Sequence, residues 1–400
     1  SLMSQDTIQT LKYTEIKNWR LKKYMKIVFT GGGTGGHFYP IIAVAEKVNH
    51  IIDKENIIGA KLYYLSDSPY DKEMLFKNGL LYEKVGSGKL RTYFSFLNFL
   101  DIFKIFFGTI NAVFKLFTIY PDVVFGKGGY ASFPTIFAAR ILRIPVFIHE
   151  SDSAPGRVNK WAGRFAKRIA VSFIGASDYF PTKNVAWTGH PIRAEIEHPS
   201  EKTKALNYFK FESGIPTILV LGGSQGAEII NNTIIDALPR LLLKYQIIHQ
   251  TGVRNFKTVK GRADVVLTGN KSKDRYIPYS FLDPLQIKHA SGAASIIVSR
   301  AGSTIFEIAS WGVPAILIPF TESNADHSKK NAFTYADAGA CSVVEENNMT
   351  ANILSSEIDR IIEDKETWQQ MAHNAKTFNK PDAAMKIAQE LVDIALSHEK

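Results

Sequence analysis

Cysteine and metal-binding patterns are almost absent from this sequence of 400 residues. The single cysteine, Cys341, excludes an internal disulfide framework and fits a reducing compartment. No histidine pair has metal-ligand spacing, and no Asp-x-Asp motif occurs that would bridge a metal to a diphosphate. We therefore expect no metal site and no required cofactor.

Signals for secretion and for nucleic-acid binding are also missing. No stretch has the pattern of a secretory signal, and no helix-turn-helix, zinc-finger or RNA-binding signature occurs. The net charge is +10, with most of the cationic excess in residues 25–200 and a nearly neutral balance in residues 214–400. This asymmetry predicts that the first half faces an anionic surface, a membrane rather than a nucleic acid. Ordinary solubilising charge is the alternative.

A long hydrophobic run free of charge is likewise lacking. The longest apolar segment, residues 90–119, is rich in phenylalanine but contains Asp101, Lys104 and Lys115, whose cost in hydrocarbon argues against a membrane span. Two interpretations remain open. The segment is either a core helix with a charged outer edge, or a helix whose phenylalanine face enters the membrane interface. We expect most of its aromatic side chains to lie in the core.

What the sequence does contain is an alternation of short apolar runs with longer amphipathic stretches. The runs are 26–29, 62–66, 122–125, 145–148, 169–172, 217–221, 295–298 and 313–319. This alternation predicts parallel sheets in an α/β fold, and the chain is long enough for two domains.

A weak internal repeat divides the chain into two similar halves. Residues 28–37, VFTGGGTGGH, and residues 219–227, LVLGGSQGA, each combine an apolar strand, a glycine-rich turn and a helix start. Each is predicted to open one doubly wound, Rossmann-like domain. We expect a tag or N-terminal extension at 1–24, a first domain at 25–190, a linker at 191–213, a second domain at 214–375, and a helix at 376–400 that packs back on the first domain.

The glycine-rich turns predict anion binding, because they let backbone N–H groups at a helix start approach a phosphate. His37 follows the first turn, where the positive helix end would keep its imidazole neutral and suited to act as a general base. A simple helix-capping role is the alternative. In the second turn, Ser224 and Gln225 are positioned to donate hydrogen bonds to a diphosphate, and no lysine follows as in a P-loop.

A third turn, SRAGSTIFE at residues 299–307, again places small residues at a helix start. Glu307 lies inside that helix, where it would accept hydrogen bonds from ribose hydroxyls or face solvent. Arg300 is either structural or a ligand of the same nucleotide. Further polar islands at 128–134, 149–160 and 189–193 follow predicted strands, at the edge where α/β folds bind ligands.

Taken in order, these islands resemble the MurG family of glycosyltransferases, family 28. The motifs are GGTGGH at 32–37, GGYASFP at 128–134, HESD at 149–152, GHPIR at 189–193, GGSQGA at 222–227, SRAGS at 299–303 and DHSKKNA at 326–332. The resemblance implies a GT-B fold, with two domains facing across a cleft. It also implies an inverting transfer of N-acetylglucosamine from UDP-N-acetylglucosamine to the undecaprenyl-linked acceptor lipid I, which makes lipid II for peptidoglycan at the cytoplasmic face of the membrane.

The resemblance also implies roles for individual residues. His37 matches the base. Acceptor-binding positions fall on Gly33, Gly128, Gly129, Tyr130 and Ser132. Donor-binding positions fall on Thr34, Gly35, Gly36, Asn159, Arg193, Ser224, Gln225, Leu282, Arg300, Ser303, Thr304, Glu307 and Ser328. Leu282 would meet uracil through its backbone, and Glu307 would bind ribose.

Two features depart from the family pattern. The interval from Arg300 to Glu307 is one residue shorter than usual, so the roles of Ser303 and Thr304 depend on where the gap falls. Ser328 stands where the family usually has a glutamine that contacts the donor sugar. Alternatives are a diacylglycerol glycosyltransferase, a nucleotide-sugar epimerase of the same fold, and a catalytically silent, membrane-docked binding subunit. The motifs GGYASFP and HESD favour the MurG family.

Overall fold

The computed structural model describes residues 24–88, 96–223, 226–321 and 326–397, which form strands alternating with helices. The strands are β1 Lys26–Thr30, β2 Lys61–Ser66, β3 Leu80–Lys84, β4 Val123–Gly126, β5 Val146–Glu150, β6 Arg168–Val171, β7 Val185–Trp187, β8 Thr217–Leu221, β9 Gln246–Gln250, β10 Tyr276–Tyr279, β11 Ala294–Arg300, β12 Ala315–Ile318 and β13 Cys341–Val343. The helices are α1 Gly35–Glu55, α2 Lys72–Lys77, α3 Phe96–Ile119, α4 Phe133–Ile141, α5 Arg157–Ala162, α6 Ala194–Glu197, α7 Lys202–Phe209, α8 Glu228–Leu241, α9 Phe256–Val266, α10 Pro284–Ala293, α11 Thr304–Trp311, α12 Asp326–Asp337, α13 Ala351–Glu363, α14 Lys365–Phe378 and α15 Ala383–Leu396.

Two parallel sheets form, one in each half. The first has the strand order β3-β2-β1-β4-β5-β6-β7, and the second has the order β10-β9-β8-β11-β12-β13. Both follow the doubly wound arrangement, in which the first strand of the unit lies beside the point where the strand order reverses. The α/β prediction is therefore confirmed. Since β1 and β8 each deliver a glycine-rich turn, both turns lie at the edge of a sheet where ligands bind in this fold.

The strands form where they do because their side chains are buried on both faces. All residues of β4, β8 and β12 are buried, and these strands consist mostly of Val, Ile and Leu. Branched side chains of this kind favour extended backbone and pack well between layers of helices. The apolar runs of the sequence correspond to β1, β2, β4, β5, β6, β8, β11 and β12. The strands β3, β7, β9, β10 and β13 were not among them, although β9 is fully buried inside the second sheet.

The last helix, α15, completes the core of the first half. Ile387, Leu391 and Val392 are fully buried among residues of β1 and α1. The segment 191–213 is divided between the halves, because Ile192 and Ile196 belong to the core of the first half, whereas Leu206 and Phe209 of α7 belong to that of the second. The chain thus crosses between the halves twice: the first half is built from two separate stretches of sequence, and the second half from one continuous stretch.

Helix α3 exposes its large apolar side chains, which is the reverse of a normal amphipathic helix. Its buried side includes Asp101, Ala112 and Leu116, and Gly108 lies so close to the Gly86 carbonyl that a Cβ at Gly108 would collide with it. Its phenylalanines point outward: Phe99, Phe103, Phe106, Phe107, Phe114 and Phe117 are each between 47% and 69% exposed. The expectation that most of these aromatic side chains lie in the core is therefore wrong.

The physical reason is that small residues let α3 approach the sheet closely, which leaves its bulky side chains no room inside. By length and composition, the segment Asp101–Ile119 could cross a membrane, with a mean hydropathy of 1.6. It lies instead along the first half, packed against α4. Its apolar face is exposed on the surface of the protein.

Candidate functional site

The first glycine-rich turn connects β1 to α1 and requires glycine at two positions. Gly32 and Gly33 have φ angles of 152° and 85°, and the second lies in the left-handed region that side chains disfavour. A Cβ at Gly33 would also lie 2.9 Å from the ring of Tyr130. The turn therefore brings the start of α1 against the GGYASFP island, and the predicted acceptor residues Gly33 and Tyr130 are neighbours.

The same island provides the other predicted acceptor positions. Gly128 and Gly129 have φ angles of 86° and 78°, and Ser132 Oγ donates to the Gly129 carbonyl at 2.9 Å. Gly129 faces the imidazole of His37, since a Cβ there would lie 3.3 Å from His37 Nε2. These two glycines, which have no side chain, thus place their backbone directly beside the predicted base.

His37 is held in one orientation and kept neutral. Its Nδ1 lies 2.9 Å from Thr34 Oγ1, and its side chain is half-buried in the turn. Burial, together with the charge of Lys127, lowers the pKa of His37 to about 4, and the charge of Asp152 acts in the opposite direction. An imidazole with this pKa is neutral at pH 7 and has a free lone pair. The neutral state matches the expectation, but its main causes are burial and Lys127.

Lys127 is a residue whose importance the sequence did not reveal. It is 1% exposed, and its ammonium group hydrogen-bonds Ser151 Oγ. Burial lowers its pKa to about 8, while Glu150 and Asp152 act in the opposite direction. The group remains mostly charged at pH 7. A lysine directly after a fully buried strand was the available signal, because buried lysines are rare without anionic partners.

Asn159 holds the HESD loop, residues 149–152, in place through hydrogen bonds. The Asn159 amide donates to the His149 carbonyl at 3.0 Å and to Glu150 Oε2 at 2.9 Å, and its side chain is 2% exposed. The backbone N–H of Asp152 donates to Glu150 Oε1 at 2.9 Å. Asn159 therefore positions the loop beside His37, and a direct contact with the donor remains a prediction.

Residues of the two halves meet at the starts of α1 and α11. A Cβ at Gly36 would lie 3.0 Å from Ser303 Oγ, so glycine is what allows this approach. Gly35 is similarly close to Tyr39, and Thr304 is the first residue of α11. Two helix N-termini, each carrying partial positive charge, converge here and form a favourable site for a diphosphate.

Glu307 and Arg193 lie close enough at this site for their charges to interact. Burial raises the pKa of Glu307, and the charge of Arg193 partly offsets that effect. The Arg193 guanidinium stacks over the ring of Tyr39 at 4.0 Å, and its Nε is buried without a hydrogen-bond partner among the described residues. A buried donor without a partner is costly, which is consistent with a site that binds an anionic or hydroxyl-rich ligand.

Three other predicted donor residues already have partners within the protein. Arg300 pairs with Glu346 at 2.5 Å and donates to the Ile318 carbonyl at 3.2 Å, while its buried Nε has no hydrogen-bond partner among the described residues. Its contact with the donor stays a prediction. Ser328 Oγ accepts from the Phe320 N–H at 3.3 Å. The Leu282 N–H donates to Gln250 Oε1 at 3.0 Å, so any contact with uracil would use its carbonyl oxygen.

The second glycine-rich turn is described only at its ends. Gly223 and Gly226 have φ angles of 78° and 80°. A Cβ at Gly226 would lie 2.5 Å from the Asn255 amide. Ser224 and Gln225, both predicted to bind the diphosphate, lie outside the described residues.

A buried polar cluster of His149, Ser172 and His190 lies where the two halves meet. Ser172 Oγ lies 3.1 Å from both His149 Nε2 and His190 Nδ1, and the His190 ring stacks on Phe306 of α11 at 4.7 Å. Burial holds the pKa values of both histidines well below their ordinary range. Through Phe306, the helix that carries Glu307 is packed against the half that carries His37. Among the described residues, no group of three or more His, Cys, Asp or Glu is arranged to hold a metal ion.

Comparison with known proteins identifies the family. Residues 27–171 match the glycosyltransferase family 28 N-terminal domain, and residues 217–387 match the glycosyltransferase family 28 C-terminal domain. A protein of Pediococcus pentosaceus named UDP-N-acetylglucosamine--N-acetylmuramyl-(pentapeptide) pyrophosphoryl-undecaprenol N-acetylglucosamine transferase is 33% identical over 93% of this chain and 100% of its own length. A protein of the same name from Shouchella clausii is 35% identical over 88% of this chain and 96% of its own length.

Solved structures agree on the fold. The crystal structure of Acinetobacter baumannii MurG has a TM-score of 0.69 at 24% identity, covering 92% of this chain and 99% of that one. A UDP-GlcNAc 2-epimerase from Neisseria meningitidis, solved with UDP-GlcNAc, has a TM-score of 0.62 at 15% identity, covering 93% and 100%. Transferases and epimerases share this architecture, so the fold alone does not choose between them. The two domain matches, and the relatives that align over most of this chain, make that choice. The chain belongs to glycosyltransferase family 28, within the MurG family.

Proposed function

We propose that this chain moves N-acetylglucosamine from UDP-N-acetylglucosamine to lipid I, producing lipid II and UDP. The observation that carries the proposal is the placement of a neutral His37 at a cleft where the helix starts of both halves converge, in a chain related over its whole length to enzymes named for this reaction. The epimerase alternative has only a shared fold in its favour.

The chemistry we infer is a single displacement with inversion. The acceptor hydroxyl attacks the anomeric carbon, the bond from that carbon to the diphosphate oxygen breaks, and the hydroxyl proton passes to His37. Thr34 Oγ1 at Nδ1 directs the other ring nitrogen toward Gly129, on the side of the predicted acceptor positions. The neutral state of the imidazole supports this role, since a base must be unprotonated at the working pH.

The leaving UDP requires stabilisation of negative charge. The starts of α1 and α11 supply N–H groups, and Arg193 supplies a buried cation. Glu307 then binds the ribose hydroxyls at the other end of the nucleotide. Ser224 and Gln225 are proposed to add donors to the diphosphate, and Ser328 or a water takes the place of the longer family side chain near the sugar.

We further propose that the protein binds peripherally to the cytoplasmic face of the membrane through its first half. The outward phenylalanines of α3 form an apolar surface that water solvates poorly. On the adjacent helix, α4, Ile141 is 54% exposed, and Arg140 and Arg143 line a surface pocket with Lys167. Apolar side chains beside cations suit an interface that contains anionic lipid headgroups.

The test is transfer to a defined acceptor. Incubation with UDP-N-acetylglucosamine and a short-chain lipid I analogue should yield a lipid II analogue and UDP in equal amounts, measured by mass spectrometry. Formation of the 2-epimer of the sugar nucleotide without acceptor would support the epimerase alternative. Transfer to diacylglycerol instead of the lipid I analogue would support the other lipid glycosyltransferase.

A further inference from the structure

The side chain of Asn331 connects the two halves across the cleft. Asn331 lies on α12 in the second half and is 2% exposed. Its Oδ1 accepts from the backbone N–H of Ser153 at 2.8 Å, and its Nδ2 donates to Asp152 Oδ1 at 2.9 Å. One carboxamide thus makes two hydrogen bonds to the HESD loop of the first half. We call this pair of bonds the 331 clasp.

We propose that Asn331 is a positioning residue that acts across the domain boundary, because the 331 clasp fixes the 151–153 loop beside His37 when the two halves are together. The proposal rests on the role of His37 as base stated above. It assigns to the second half, which binds the donor, a direct influence on the base in the first half. The acceptor hydroxyl would then meet a correctly placed base only when the donor domain is closed.

The loop held by the clasp contains one of the two charges that act on His37 and contacts the other. Asp152 favours the protonated imidazole, and Lys127 disfavours it. Ser151 in the same loop hydrogen-bonds the Lys127 ammonium. When His37 takes the proton of the acceptor hydroxyl it becomes an imidazolium, which Asp152 stabilises and Lys127 destabilises. A small shift of residues 151–153 would therefore change the barrier to proton transfer.

Other contacts between the halves do not replace the clasp. Trp311 Nε1 donates to the Ile196 carbonyl at 2.7 Å, and Phe306 packs against His190 and Phe173. These contacts hold α11 against the first half, but none of them includes the 151–153 loop. Loss of the clasp is therefore expected to release the loop while the two halves stay connected.

Exchange of the two partners provides the sharpest test. Asn331→Asp places a carboxylate opposite Asp152, removes the donor and should break the clasp by repulsion. Asp152→Asn combined with Asn331→Asp restores both bonds, because the new amide at 152 and the Ser153 N–H can both donate to the new carboxylate at 331. Asn331→Ala removes the clasp without repulsion. Lys330→Ala, at the exposed neighbouring position on α12, is the matched control.

Turnover and domain closure should respond together. A hydrogen bond to a charged group contributes about 1.5–3 kcal/mol, so Asn331→Ala should lower kcat by roughly tenfold to a hundredfold, and Asn331→Asp by more. The double variant should recover to the kcat of Asp152→Asn alone, because both lack the Asp152 charge that favours the imidazolium and both keep the clasp. The affinity for UDP alone, measured by calorimetry, should stay within about threefold, because UDP contacts other residues. Lys330→Ala should behave as the unsubstituted protein.

A distance measurement separates the clasp from the role of His37. Spin labels at Lys72→Cys and Arg254→Cys, in a Cys341→Ser background, report the distance across the cleft in the presence of UDP-N-acetylglucosamine. The closed population should fall in Asn331→Asp and return in the double variant. If the double variant remained as open as Asn331→Asp, the inference would be overturned. If His37 is not the base, His37→Ala will turn over at a normal rate. The distance measurement will still test the clasp in that case.

Discussion

His37 is the residue whose replacement tests the chemistry most directly. His37→Ala should lower kcat by about a hundredfold or more, which is the usual effect of losing a general base. UDP affinity should remain nearly unchanged, because the ring faces Gly129 on the acceptor side. Steady-state kinetics and calorimetry measure the two quantities. A folded His37→Ala protein with a near-normal rate would return His37 to the role of a helix cap.

The surroundings of His37 also predict an unusual pH dependence. With a pKa of about 4, His37 stays unprotonated as the pH falls, so the acid limb of kcat/KM should lie near pH 4 and not near 6.5. Lys127→Met removes a cation that lowers this pKa, so the limb should move upward. An unchanged limb in Lys127→Met would contradict the assignment of that charge.

Folding must be monitored over the same pH range. His149 and His190 have pKa values well below that of an unfolded histidine, so the unfolded state binds more protons below about pH 6.5. Stability is therefore fully present above that pH and is lost as the pH falls. Circular dichroism at each pH distinguishes this loss from protonation of the base.

Glu307 tests nucleotide binding at the residue scale. A ribose diol can donate two bonds to one carboxylate, each worth about 1.5–3 kcal/mol. Glu307→Gln and Glu307→Ala should both weaken UDP binding, alanine more, and both should weaken binding of 2′-deoxy-UDP less. Calorimetry with the two nucleotides isolates the ribose contact. Equal losses for both nucleotides would make Glu307 a structural residue and point to the shortened interval after Arg300.

At the scale of a single element, α3 is the part of the fold that predicts behaviour at a membrane. Phe107 and Phe114 are 64% and 69% exposed on its outer face. Changing both to Ser should weaken binding to anionic liposomes by at least about tenfold, since burying one such side chain contributes about 1.5–3 kcal/mol. Phe76→Ser, at an 88% exposed position on α2, is the matched control.

The same experiment tests the electrostatic contribution. Co-sedimentation should increase with the fraction of anionic lipid and decrease with salt, because exposed charges are screened beyond about 8 Å at physiological ionic strength. Binding that is indifferent to lipid charge, to salt and to the two α3 substitutions would leave this helix as an ordinary surface element.

At the scale of the whole molecule, α15 joins the end of the chain to the core of the first half. Leu391 is fully buried there, and Leu391→Ala should lower the free energy of unfolding by about 2–5 kcal/mol. Leu243→Ala, at a 73% exposed position, should change it by less than about 0.5 kcal/mol. Urea denaturation measures both. Equal midpoints for the two variants would show that α15 contributes nothing to the first half.

The sequence by itself determined the architecture and most of the positions around the cleft. Apolar runs identify most of the central parallel strands, because a strand buried on both faces is mostly apolar, although the buried strand β9 with its polar ends was missed. The two glycine-rich turns identify the helix starts, because only glycine adopts the backbone of Gly33 without strain. These are local requirements, so local sequence reveals them.

Tertiary structure decided what depends on residues far apart in the chain. The outward phenylalanines of α3 follow from the close approach of Gly108 to Gly86, which no periodicity of α3 encodes. The low pKa of His37 comes from burial and from Lys127, 90 positions away, and the clasp joins Asn331 to a loop 178 positions earlier. Burial and charge act through space, so their effects on a side chain appear only when the fold brings the partners together.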